Sequence, residues 1–226
     1  MNVSHTYPVG PFRAIVPLAL ALLLLAAFGN ASQVFRYREQ TGREVTTYLW
    51  RVEPESRSYT VIHQQGEETF RSRCTEDGAT VHWRYTRPPD TDVQAERAGD
   101  RILLSGRLAG EPVEREVAID ARPWFQPLSF SLQRMLTRNL DRASFWTIRP
   151  DTLDVLAMQA EREGSETIGE AGAALVAERV SIRLGGLLAG LWRADYWFRQ
   201  GDRLFVQYRG AHGPPGTAET VVRLMQ

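Results

Sequence analysis

The stretch 191–209, LWRADYWFRQGDRLFVQYR, constrains the chain more than any other. Trp192, Ala194, Tyr196 and Phe198 alternate with Arg193, Asp195, Trp197 and Arg199, the two-residue period of a strand with unlike faces. Gln200-Gly201-Asp202 breaks the run. A second run follows, in which Leu204, Val206 and Tyr208 alternate with Phe205, Gln207 and Arg209. Aromatic and β-branched residues on both sides of a short Gly-containing break predict a β-hairpin. A chain committed to such hairpins buries one face and must cover it.

Turn chemistry punctuates the rest at the same scale. Strands are expected at Val34–Arg38, Val45–Val52, Tyr59–His63, Thr69–Arg73, Thr80–Tyr85, Arg101–Ser105 and Val113–Ile119, with Gly42, Gln65-Gly66 and Asp77-Gly78 between them. Pro88-Pro89-Asp90 interrupts the series. This half reads as an antiparallel meander with its charges outward.

The middle changes period. Leu128, Leu132, Met135, Leu136 and Leu140 suit one face of an amphipathic helix spanning 128–140. Its aromatic flanks include Trp124, Phe125, Phe130, Phe145 and Trp146. These either line a cavity or seal the core beneath the helix. Beyond Pro150-Asp151, Leu153–Glu161 fits strand and helix alike, and Gly164-Ser165 favours a hairpin into Glu166–Ile168. Leu175–Leu184 alternates again, Gly169–Gly172 and Gly210–Gly216 read as loops, and a last strand is expected at Thr217–Leu224. No composition shift or fixed-period repeat marks a second domain. The expected fold is mainly β (β-rich α+β): a curled antiparallel sheet with one mid-chain amphipathic helix.

The N-terminus reads as an address. Residues 1–31 carry Arg13 as their only charge, then the apolar run Ala14–Phe28, then small residues at Gly29-Asn30-Ala31. About 15 apolar residues fit a signal-peptide core and fall short of the ~20 a spanning helix needs. The expectation is cleavage before Ser32, leaving residues 32–226 as one periplasmic domain with no transmembrane span; the alternative is an uncleaved anchor in the inner membrane. About 195 residues suffice for a sizeable core. All 27 basic residues are arginine, against 27 carboxylates. Without Arg13 the remainder sits at about −1, which gives no electrostatic case for nucleic acid. Cys74 is the sole cysteine, so no intramolecular disulfide forms, and the thiol reads as a structural strand residue.

Catalytic signatures are missing. The sequence has no H-E-x-x-H, C-x-x-C, G-x-S-x-G or P-loop. His63 and His82 fall on separate strands and make a weak metal pair without a third ligand, and His212 lies in a Gly-Pro loop. Asp151 and Asp154 read as solvated carboxylates, not as an acid–base pair. No catalytic residue, metal or cofactor is expected, and the chain is read as a non-enzyme.

The order of elements, namely export signal, meander, mid-chain helix and strands ending in WRADYWFR…RLFVQYRG, resembles the periplasmic half-barrels of the outer-membrane lipoprotein carrier and receptor group and their uncharacterised relatives. That resemblance implies a lipid or lipidated-protein ligand held in the curled sheet. Trp192, Tyr196 and Phe198, on one strand face, are the foremost candidate ligand-binding residues, joined by Trp124, Phe130 and Trp146. The alternative is an interaction protein that docks an envelope partner through the arginine-rich face of its C-terminal hairpin, with Arg193, Asp195, Arg199, Arg203 and Arg209, or through an open sheet edge.

Overall fold

Among the described residues, fourteen strands follow one another along a single antiparallel sheet, in the order β8-β7-β6-β5-β4-β3-β2-β1-β14-β13-β12-β11-β10-β9. The computed structural model describes residues 31–169, 174–186, 190, 192–211 and 217–225. The leader read at 1–31 therefore lies, apart from Ala31, outside the described residues, as do most of both expected loops and His212. The first meander is β1 (Gln33–Thr41), β2 (Glu44–Pro54), β3 (Ser58–Gln65), β4 (Glu68–Thr75), β5 (Thr80–Arg87), β6 (Thr91–Ala98), β7 (Arg101–Leu108) and β8 (Glu111–Ala118). After the helix α1 (Leu128–Thr137) comes the second: β9 (Arg142–Ile148), β10 (Val155–Ile168), β11 (Leu175–Leu184), β12 (Arg193–Arg199), β13 (Phe205–Ala211) and β14 (Glu219–Leu224). Every pairing but one is a hairpin between chain neighbours. The exception, β1 with β14, runs from Tyr37 opposite Leu224 to Thr41 opposite Thr220 and joins the two meanders.

Twist makes a sheet this wide curl, and α1 gives it something to curl around. Leu132, Met135 and Leu136 are buried with Tyr37 and Tyr48 from β1 and β2 and with Phe145, Met158, Val180, Ile182 and Phe198 from β9 to β12. Phe130 on the same helix packs with Val61 of β3 and Cys74 of β4. One helix touching both meanders places it on the concave side of a curled sheet. Its start has no side-chain cap, and ten residues are too few for a helix stable alone, so burial holds it. Ser131 Oγ donates to the Gly78 carbonyl at 2.7 Å and Arg134 Nε to the Glu76 carbonyl at 2.9 Å, tying α1 to the β4–β5 turn.

The seam between the sheet edges is bridged by residues 123–126. On one side Trp146 N–H donates to Pro123 O and Phe125 N–H to Trp146 O, each at 2.8 Å; on the other Thr80 N–H donates to Trp124 O at 2.7 Å. Accordingly, Ile148 of β9 shares a core with Trp83, Val93, Ile102 and Leu104 of β5 to β7. The described sheet stays unclosed, since no ladder joins β8 to β9.

Four expectations need correction. The helix stops at Thr137, not Leu140: Asn139 takes φ 54°, its N–H bonds to Leu136 O, and Leu140 N–H bonds to Met135 O, a Schellman ending. Val155–Glu161, all of the ambiguous stretch but Leu153 and Asp154, joins Glu166–Ile168 in one 14-residue strand, and Gly164 marks a bulge rather than a hairpin. Val206 does not share a face with Tyr208. A bulge at β13 sets Phe198 opposite Phe205 and Trp197 opposite Gln207, which sends Val206 outward to Trp197 and Ala177. Finally, β6 and β9 are strands where none was expected.

Candidate concave ligand site

Register assembles the site. Tyr37 stands opposite Tyr48, Trp50 opposite His63, His63 opposite Phe70 and Phe70 opposite Tyr85, all on the concave face. Directly opposed residues are the nearest side-chain neighbours in a sheet, so these rings form a belt across five strands. Centroids are 5.2 Å apart for Tyr37–Tyr48, 4.3 Å for Tyr48–His63, 5.4 Å for His63–Phe70 and 4.5 Å for Phe70–Tyr85. Beyond Tyr37 the belt continues through Phe205 at 5.2 Å to Tyr196 at 5.7 Å. Burial raises the pKa of the Tyr37, Tyr48, Tyr196 and Tyr208 hydroxyls well above the ordinary tyrosine value, so they stay neutral.

Above this belt lies a cavity of about 1130 Å³, bounded by the belt, the start of α1, the start of β8 and residues 149–153. Such a volume exceeds the usual range for small-molecule pockets, roughly 300–1,000 Å³. Trp50, His63, Phe70, Tyr85, Tyr196 and Leu128 supply much of its wall. Five carboxylates also line it: Glu39, Glu68, Glu111, Glu114 and Asp151. Three guanidiniums face them, on Arg87, Arg115 and Arg149. Glu68 accepts from Tyr85 Oη at 2.8 Å, and Asp151 pairs with Arg149 at 2.6 Å. At His63 the Nε2 has no hydrogen-bond partner, and burial draws the pKa down to about 4, opposed in part by a hydrogen bond with the Gln65 side chain.

The six sequence candidates separate. Trp192 and Tyr196 line the cavity, and Trp192 Nε1 donates to Ala211 O at 2.6 Å. Phe198 is fully buried in the main core. Phe130 is buried beneath α1 against Tyr59, and Trp124 is sealed among β5 to β7 with its Nε1 on Gln126. Trp146 lies at the seam under the Arg122 guanidinium, donating from Nε1 to Asp120 at 3.0 Å. Sequence reasoning missed Trp50, Phe70 and Tyr85, and it considered His63 only as a metal ligand. Their signal was in the alternation of β2 to β5, but which face is concave emerges only once the sheet curls.

Other groups singled out in the sequence do not converge. His63 faces the cavity, whereas His82 lies beyond Trp83 in the alternation and so on the outer face. No cluster of three metal-binding side chains occurs among the described residues. Cys74 is fully buried, and burial pushes its thiol up to about 12. The hairpin arginines are engaged. Arg193 pairs with Asp195 at 3.1 Å, Arg199 with Asp202 at 2.5 Å and Arg209 with Glu219 at 3.7 Å. Arg203 pairs with Glu178, a buried carboxylate that also has Arg162 Nε at 2.9 Å.

No family model matches the chain, and no curated protein matches it either. Solved structures do. The β-barrel-like protein of domain of unknown function DUF1849 from Brucella abortus matches at 9% identity and TM-score 0.59, covering 87% of this chain and 96% of that one. Two more distant matches are the hypothetical lipoprotein YmcC from Escherichia coli and a domain named for outer-membrane lipoprotein sorting from Vibrio parahaemolyticus. The first has 10% identity and TM-score 0.37 over 96% of this chain and 98% of that one. The second has 10% identity and TM-score 0.29 over 92% and 90%. The Brucella likeness is one of fold, and it places the chain in the β-barrel-like class. The half-barrel resemblance read from the order of elements holds as architecture. No helix among the described residues is long and apolar enough to cross a membrane.

Proposed function

We propose that this chain is an exported, non-enzymatic envelope protein that binds an apolar or amphipathic ligand, a lipid or a lipidated protein, on the concave face of its sheet. The observation that carries this reading is the cavity of about 1130 Å³ floored by aromatic rings. A wall of rings with scattered polar groups is the usual chemistry of a site that holds an apolar body and orients one polar end. Residues 1–31 are then a cleaved signal, and the periplasm is the compartment. Docking through the arginine face has less support, because Arg193, Arg199 and Arg209 each lie within 4 Å of a carboxylate on the same sheet or in its β12–β13 turn, where exposed pairs are structural and weak.

Native mass spectrometry of the protein purified from a periplasm without detergent tests this. An adduct released on denaturation as fatty acid, phospholipid or acylated peptide is expected. An apo mass that takes up no added lipid would remove the reading.

A further inference from the structure

His63 is the odd member of the aromatic belt. The other rings in it are hydrocarbons, phenols and the Trp50 indole, none of which offers an acceptor nitrogen, and the Tyr37 hydroxyl, for example, is satisfied by Phe205 O at 3.0 Å. His63 brings a polar edge to the centre of the belt and leaves Nε2 unpartnered. A phenylalanine at this place would pack against Tyr48 and Phe70 without stranding a nitrogen. An unpaired buried polar atom costs stability, so the imidazole is unexplained by packing and points to a partner that binds from the cavity it lines. A half-turn about the Cβ–Cγ bond exchanges the nitrogen and carbon edges within the same volume. That half-turn exchanges the Gln65 hydrogen bond for one to a donor entering the cavity that the ring lines.

Charge around the ring selects the partner. Its low pKa, set by burial, keeps the imidazole neutral at physiological pH, so it offers no cation to an anionic group. The walls carry five carboxylates against three guanidiniums, two of which already serve Glu68 and Asp151. An incoming carboxylate or phosphate is repelled. A hydroxyl or an ammonium meets an acceptor nitrogen, π faces on Trp50 and Phe70 and a surplus of negative charge, all favourable to a donor.

Building on the lipid-binding reading, we infer that the cavity takes an amphiphile whose polar end is a hydroxyl or ammonium, donated to His63. His63 is then the residue that sets head-group specificity, while Trp50, Phe70 and Leu128 take the chain.

The test titrates the full exported protein at pH 7.5 with 1-decanol, decylamine and decanoate, three probes with one chain length and different heads. Trp50 and Trp192 line the cavity, so tryptophan fluorescence is the signal. Decanol and decylamine are expected to bind about tenfold more tightly than decanoate. His63→Phe, which keeps a ring, should cost both of them about five- to tenfold, the worth of one hydrogen bond, and leave decanoate unchanged. His63→Gln should recover part of the loss and serves alone if the Phe variant fails to fold. Decanoate binding as tightly as decanol overturns the inference. So does equal affinity in wild type and variants, with binding still rising from octanol to dodecanol; in that case the lipid reading survives. No binding by any probe removes both.

Discussion

Gln126 supplies with its side chain what a strand would supply with its backbone. Its Oε1 accepts from Ile148 N–H at 3.0 Å and Trp124 Nε1 at 2.9 Å, while its Nε2 donates to Ile148 O at 2.9 Å. The amide thereby extends the ladder of β9 into the seam. Gln126→Ala strands three partners at once and should cost about 2–3 kcal/mol, read as a fall of roughly 5–10 °C in Tm. A Tm unchanged within 2 °C would show that water replaces the amide. At His63 the expected effect depends on pH. The unfolded chain takes up a proton near 6.5 and the folded one only near 4, so the neutral ring's contribution is complete above 6.5 and is lost as pH falls toward 4. Its neighbours Tyr48, Trp50 and Phe70 change no charge in that window. Stability of wild type relative to His63→Phe should fall by roughly 3 kcal/mol between pH 7 and pH 4, followed by urea denaturation; parallel pH profiles would contradict the burial. Neither role was legible in the sequence. Gln126 stands in a Pro-rich linker with no periodicity, and His63 differs from an exposed strand histidine only once β2 and β4 flank it.

At the scale of elements, alternation revealed most strands and turn chemistry hid a few. In β6, Thr91, Val93 and Ala95 are buried and alternate with exposed Asp92, Gln94 and Glu96, a clean two-residue period. It was obscured because Pro88-Pro89-Asp90 reads as a long break in the meander when it is only a tight turn, with β6 starting at Thr91. Strand β9 was hidden differently. Phe145 and Trp146 were adjacent aromatics that suited a helix flank, and only the pairing with β10 separates a core ring from a seam ring. Gly164 and the Val206 bulge show the same ambiguity, since one extra residue in a strand reverses every later side chain. Gly106 in β7 is the sharpest case of backbone need. It adopts φ 123°, and a Cβ there would meet the Asp92 carbonyl oxygen at 2.1 Å. Gly106→Ala must therefore push β6 and β7 apart beside Val93, and a loss of at least about 2 kcal/mol is expected in denaturant. Wild-type stability would mean that β7 relaxes there at no cost.

Taken whole, the molecule is two meanders that need each other. Strands β1 to β8 and β9 to β14 are each built from local hairpins, but neither covers its own apolar face. The two meet through β1–β14, through residues 123–126 and through α1, whose Leu132 is buried among side chains from both. An amphipathic helix shared in this way couples the halves more tightly than the five residue pairs of β1–β14 would alone. Leu132→Ala opens a cavity in that common core and should cost about 2–5 kcal/mol. If the halves are one cooperative unit, that loss is felt equally in each. Cys74, fully buried in β4, reports on the first meander through its rate of thiol labelling, and amide exchange in β10 to β12 reports on the second. Both rates should rise by the same factor, at least about thirtyfold at the lower bound of that cost. A rise in Cys74 labelling with β10 to β12 unmoved would mean that the meanders open separately. The concave site, walled by residues of both meanders and by α1, would then lose half its lining whenever one of them opened.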